Sequence, residues 1–77
     1  MELLSNAIRD HIKQLMHEQN LTISELARRS NLTQSTVDSA LNIRNKNPRI
    51  DTIHQLIKGL NLSIPQFFNH DRFNHLK

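Results

Sequence analysis

The feature of this 77-residue chain that most limits its fold is a tripeptide that recurs three times: Asn20-Leu21-Thr22, Asn31-Leu32-Thr33 and Asn61-Leu62-Ser63. Each reads as the end of one helix and the start of the next. Asparagine tolerates the left-handed backbone that closes a helix, and the hydroxyl of Thr or Ser accepts a hydrogen bond from the free N–H groups that open another. The leucine before each cap has an apolar partner at the fourth helical position: Leu21 with Leu26, Leu32 with Val37, Leu62 with Phe67. Glu25 and Gln66 stand three residues after their caps and complete two capping boxes. The tripeptides also match the N-glycosylation acceptor pattern. Glu2 and Asn6 interrupt the only stretch that resembles a secretory leader, so the helix-boundary reading is preferred.

These boundaries predict five helices. The first runs from about Leu3 or Ser5 to Gln19, with Leu4, Ile8, Ile12, Leu15 and Met16 on one apolar face. The second spans Ile23 to about Ser30, and the third Gln34 to Leu41 or Asn42, burying Val37, Ala40 and Leu41. A loop from Ile43 to Arg49 follows, since Pro48 cannot sit inside a helix and biases Asn47 away from helical geometry. The fourth helix spans Ile50 to Leu60, with Ile50, Ile53, Leu56, Ile57 and Leu60 inward. A fifth runs from Ile64 to about Asn69, Pro65 being tolerated in its first turn, and Phe67 and Phe68 finish the core. No segment alternates with period two for long enough to propose a strand. The expected class is therefore all-α.

Seventy-seven residues build one core and exclude a multidomain enzyme. With 36% hydrophobic residues and no apolar run near the ~20 needed to span a bilayer, a soluble, cytoplasmic, membrane-free chain is expected. The absence of cysteine excludes disulfides and thiolate-bound metal. The net charge of +3 favours a polyanionic partner, and its distribution matters more. Arg44, Lys46 and Arg49 fall in a stretch from Ala40 to Ile50 that contains no acid, whereas elsewhere acids and bases alternate.

Between Thr22 and Thr33 there is room only for one short helix and a tight turn, so the second and third helices meet at a steep angle as a helix-turn-helix. Ala27 falls at their closest approach, and Leu26, Leu32, Val37 and Ala40 take the buried positions. Several blocks now resemble the phage-repressor and Cro type of helix-turn-helix domain. They are Leu21-Thr22-Ile23-Ser24-Glu25-Leu26-Ala27, Leu32-Thr33-Gln34-Ser35-Thr36-Val37, Asn47-Pro48-Arg49-Ile50-Asp51-Thr52-Ile53, and Leu60-Asn61-Leu62-Ser63 before Phe67-Phe68. The resemblance covers Ile8 to Phe68. It implies a five-helix bundle over residues 1–69 with the helix-turn-helix at about 22–42, a C-terminal tail at 70–77, binding to double-stranded operator DNA, and a homodimer. Asn31 stands where the family usually has glycine in the turn, and Asn42-Ile43 where a glycine often follows the third helix. Ile23 replaces a glutamine that contacts phosphate in many relatives, so that contact does not carry over.

Helix geometry selects the exposed side of the third helix without the family. With Val37, Ala40 and Leu41 turned inward, the opposite face presents Gln34, Ser35, Asp38, Ser39 and Asn42. Gln34 matches the family position that reads a base, and glutamine pairs bidentately with adenine. Ser35 and Ser39 are weaker readers, and Asp38 is expected to pair with a nearby arginine or accept from cytosine. Thr33 is expected to cap the helix and touch phosphate. Asn42, Arg44, Lys46 and Arg49 are expected to grip phosphates, with Arg49 reaching toward the minor groove as similar arginines do in the family. Arg28 and Arg29 complement the dipole of the second helix or contact phosphate.

Other chemistries find less support. His11 and His17 are six apart and His70 and His75 five apart, neither being the spacing that places two metal ligands on one helix face, so no metal or cofactor is expected. Ser, His and Asp are scattered without a nucleophile elbow, and no enzyme is expected. Phe68, Phe73 and Leu76 form a dimer contact or pack within the chain, the first being slightly preferred. The expected function is sequence-specific transcription regulation, with repression as the mode. The alternatives are an antitoxin or protein-interaction module with a protein partner, and a scaffold whose DNA face is lost.

Overall fold

The computed structural model describes residues 3–76. Its helices are α1 (Leu4–Glu18), α2 (Ile23–Ser30), α3 (Gln34–Leu41), α4 (Ile50–Gly59), α5 (Ile64–Phe68) and α6 (Asp71–Asn74), with no strand among the described residues. The three tripeptides are its hinges. Asn20, Asn31 and Asn61 have φ of 56°, 57° and 64°, the left-handed conformation an asparagine adopts more cheaply than a branched residue would. Thr22 accepts from the Glu25 N–H at 3.1 Å while the Glu25 carboxylate accepts from the Thr22 N–H at 2.9 Å. Ser63 and Gln66 form the same reciprocal pair at 3.2 and 2.9 Å. The Thr22 N–H, and after it the Thr22 hydroxyl, donate to the Glu25 carboxylate, favour its ionised form and hold its pKa below the ordinary value.

Leu21, Leu32 and Leu62, which precede the caps, pack against the core cluster that contains Leu26, Val37 and Phe67. The core is formed by Ile8, Ile12 and Met16 of α1, Leu26 and Ala27 of α2, and Val37, Ala40 and Leu41 of α3, closed by Ile53, Leu56 and Ile57 of α4, with Leu60 just beyond its end, and Phe67 of α5. Burial of these side chains, about 1.5–3 kcal/mol for each large one, is what holds elements too short to be stable alone.

The sixth helix corrects the expected five. His70 caps it, its Nδ1 accepting from the Arg72 N–H at 3.0 Å, and α6 packs on α1. A single turn carries no periodicity from which it could have been read. Phe68 and Phe73 are half-buried against the core of their own chain. Ile50 is the second correction: expected inward, it is 82% exposed. It occupies the first helical position, directly after the extended Arg49, and α4 first turns an apolar side chain into the core at Ile53. Leu4, placed on the inner face of the first helix, is likewise 53% exposed in that helix's first turn.

α2 and α4 are the most extensively packed pair of helices, and they approach closely at Gly59. A Cβ added to Gly59 would lie 2.1 Å from Ser30 Oγ and 3.2 Å from Ser30 Cβ and N. Alanine there recovers about 1 kcal/mol of helix propensity, which offsets part of the clash. Valine adds methyls with nowhere to go. Gly59→Val is expected to cost about 1–3 kcal/mol in a urea titration, and an unchanged midpoint would show that α2 and α4 separate freely.

Candidate nucleic-acid interface

The helix-turn-helix is formed by α2 and α3, joined through Asn31-Leu32-Thr33. At the turn the Leu32 N–H donates to the Ala27 carbonyl at 2.9 Å, closing α2 and setting the direction of α3. Thr33 caps α3, accepting from the Thr36 N–H at 3.1 Å, and its hydroxyl also meets that of Thr36 at 2.9 Å. Val37, Ala40 and Leu41 are buried, while Gln34, Ser35, Asp38 and Ser39 are exposed, as are Thr33, Asn42, Arg44, Lys46 and Arg49.

The outer face of α3 has two flanks. On one, Ser35 and Ser39 share a notch with Asn45, Asn47, Pro48 and Arg49, so the start of the helix's exposed face abuts the basic loop. On the other, Asp38 borders a shallow recess with Lys13 and His17 of α1 and Ile23 of α2. The bases that share this recess with Asp38 are therefore Lys13 and His17, and no arginine is among its described lining residues.

Asn42 neither adopts the left-handed conformation nor continues the helix. Its backbone is extended, with φ −71° and ψ 128°, and its Oδ1 accepts from the Arg44 N–H at 2.9 Å. That side-chain turn replaces the glycine-led exit and leads the chain into a loop built around Asn45. The Asn45 N–H donates to the Asn42 carbonyl at 2.9 Å, its Nδ2 donates to the Ser39 carbonyl at 3.1 Å, and its Oδ1 accepts from the Asn47 N–H at 3.1 Å.

Sequence reasoning missed the anchor of this loop. Arg9 of α1 is 3% exposed; its Nη2 donates to the Asn45 carbonyl at 2.6 Å and its Nη1 to Asn6 Oδ1 at 2.8 Å. A guanidinium this buried and hydrogen-bonded at both terminal nitrogens ties the basic loop to the longest helix through a charge-assisted bond. One signal was available: Arg9 lies on the helical line of Ser5, Ile12 and Met16, so periodicity alone puts it on the inner face.

The histidines meet in a way their spacing did not foretell. His11 of α1 is 5% exposed and its ring lies 4.8 Å from that of Phe67, 4.6 Å from His70 and 5.4 Å from Phe73. Burial holds its pKa below the ordinary histidine value, and the charges of His70 and Arg72 push the same way, against Glu18 and a hydrogen bond to the Phe67 backbone. It is a core residue. Among the described residues no three His, Cys, Asp or Glu side chains gather to hold a metal ion, and no helix is long and apolar enough to cross a membrane.

Two short helices meeting at a capped turn, the second presenting a polar face beside an acid-free basic loop, define a helix-turn-helix DNA-binding domain. The model of the Cro/C1-type HTH DNA-binding domain matches residues 11–71, and the chain belongs to that family. Among solved structures, the prophage Lp1 protein 11 is 33% identical, with 99% of this chain and 100% of that one covered at a TM-score of 0.79. The wild-type restriction-modification controller protein C.Esp1396I is 29% identical, with 88% of each chain covered at a TM-score of 0.74. The same controller protein bound to a 25 base pair operator site gives the same identity, coverage and TM-score. A comparison with curated proteins gave no match.

Proposed function

We propose that this protein is a transcription regulator that represses by occupancy, inserting α3 into the major groove of an operator as a dimer on two half-sites about one helical turn apart. The observation that carries the reading is the exposed row of Gln34, Ser35, Asp38 and Ser39 standing beside Arg44, Lys46 and Arg49, with no acid in the loop between. Solved relatives of the same fold are named as operator complexes, which supports double-stranded DNA as the ligand. Gln34 and the two serines read base edges; Thr33, Asn42, Arg44, Lys46 and Arg49 hold phosphates. Asp38 acts through its charge and sets which bases are tolerated nearby. No catalytic step is involved, and the site of action is cytoplasmic DNA.

Selection from random duplexes tests this directly, with a two-fold-symmetric motif as the expected result. Arg44→Ala, a change remote from the apolar side of the loop, is expected to weaken binding to all duplexes alike and to reduce the slope of log K against log salt by about one. A slope unchanged in Arg44→Ala, together with no enriched motif, overturns the reading.

A further inference from the structure

The loop from Ile43 to Arg49 sets three cations beside α3 with scarcely any core of its own: Ile43, Arg44, Lys46, Asn47 and Arg49 are exposed, and Asn45 is half-buried. Its shape rests on that asparagine. All four polar groups of Asn45 are engaged: the N–H donates to the Asn42 carbonyl, Nδ2 donates to the Ser39 carbonyl, Oδ1 accepts from the Asn47 N–H, and the backbone carbonyl accepts from Arg9 Nη2. The first three partners lie within six residues of Asn45, in the exit of α3 or in the loop itself. Arg9 comes from another helix, 36 residues away. Nothing about stability requires a guanidinium there. Arg9 is 3% exposed, and its Nε has no hydrogen-bond partner among the described residues. A buried N–H left unmade subtracts from what the other two bonds contribute, and an apolar side chain of similar volume would fill the place without that cost. An apolar side chain would not hold the Asn45 carbonyl.

We propose that Arg9 is a positioning residue for DNA binding: from beneath the loop it holds the Asn45 carbonyl, and through it sets Arg44 and Lys46 in their phosphate-binding arrangement before a duplex arrives. The planar guanidinium suits this task because its terminal nitrogens reach two acceptors at once, the Asn45 carbonyl at 2.6 Å and Asn6 Oδ1 at 2.8 Å. The second bond fixes the plane from which the first is made. The held carbonyl belongs to the rigid peptide unit that joins Asn45 to Lys46, so its direction also sets the direction in which the backbone enters Lys46. On the other side, the Arg44 N–H is bonded to Asn42 Oδ1 at 2.9 Å, and the two cations are presented from a backbone fixed at both ends. Without Arg9 the ordering of this loop is deferred to the moment of binding, and its entropy is subtracted from the affinity. A group this deeply buried touches no phosphate, so it raises affinity without adding to the count of released counterions. The role assigned to Arg9 rests on the DNA-binding reading.

Two variants test it. Arg9→Met keeps the length of the stem and removes both bonds, whereas Asn6→Ala, at a half-buried position, leaves the charge in place and removes one of its two acceptors. In hydrogen exchange without DNA, the Arg44, Asn45 and Asn47 amides, each bonded inside the loop, are expected to exchange about tenfold faster in Arg9→Met. The amides of Leu56 and Ile57, in the buried part of α4, are expected to keep the wild-type rate. On a duplex from the random selection, Arg9→Met is expected to bind about tenfold and Asn6→Ala about threefold more weakly, with base preference retained. The slope of log K against log salt stays at the wild-type value in both, unlike Arg44→Ala, which lowers it by about one. If Arg9→Met does not fold, Asn6→Ala carries both measurements. Wild type that binds no duplex refutes the DNA-binding reading, and the exchange measurement, made without DNA, stands apart from that failure. Loop amides that exchange no faster than wild type, α4 amides that quicken by the same factor as the loop, unchanged affinity in both variants, or a slope lowered by one in Arg9→Met overturns the proposal.

Discussion

Phe67→Ala is expected to leave the domain close to unfolded at 37 °C. The ring is fully buried and sits in an aromatic cluster, 4.8 Å from His11, 5.0 Å from Phe68 and 5.7 Å from Phe73. Deleting it removes the transfer energy of the ring and leaves a cavity between α1, α5 and α6, a loss of about 3–5 kcal/mol in comparable cores. A chain of 77 residues has in total about 4–12 kcal/mol to lose. Phe67→Leu keeps most of the volume and should cost about half as much or less. Urea titration followed by helical circular dichroism separates the two. An alanine variant with the wild-type midpoint would mean that α5 and α6 contribute nothing to the cooperative core, contrary to the placement of Phe67 in it.

Gln34→Ala is expected to produce the largest functional change that leaves the fold intact. The side chain is exposed in the first turn of α3, directly after the Thr33 cap, so its removal takes away neither a buried contact nor a capping bond. If it reads one adenine, its loss costs about 1–3 kcal/mol on the preferred duplex, roughly 5- to 150-fold, and discrimination at that one base pair collapses. Binding to unrelated duplexes and the salt slope should not change, because no phosphate contact is lost. This pattern is the reverse of that expected for Arg44→Ala, which lowers affinity everywhere and spares discrimination. A uniform loss across sequences in Gln34→Ala would move the glutamine from base edge to backbone and shift the register of α3 in the groove.

The two changes also separate what was legible in the residues from what was not. The junctions at residues 20–22, 31–33 and 61–63 could be read directly because the capping hydrogen bonds and backbone turns that form them are local. A left-handed asparagine, a hydroxyl cap and a glutamate or glutamine three residues on find their partners within one turn of chain, whatever the rest of the molecule does. The exposed face of α3 was legible for the same reason: once Val37, Ala40 and Leu41 face inward, the helical repeat places Gln34, Ser35 and Ser39 outside.

The remaining features join residues far apart in the chain. Arg9 reaches a carbonyl 36 residues away, and no local pattern indicates that Asn45 would be there to accept. His11 and His70 have no meaningful sequence spacing, yet their rings meet at 4.6 Å, tilted by 48°, because α6 folds back over α1. Gly59 is needed only because Ser30 arrives against it from α2. Ile50 illustrates the reverse error: its place in the apolar pattern of α4 assigned it to the core, but a first-turn residue faces whatever lies beyond the helix end, and here that is open surface.

The amino-acid order by itself determined where helices begin and end and which side of each is apolar, since capping and periodicity are written within a few residues. Only the tertiary structure decided which buried polar groups meet, which apolar side chains are left outside, and how the basic loop is held beside α3. Those outcomes depend on the directions in which separate helices approach one another, and no short stretch of chain encodes a direction in space.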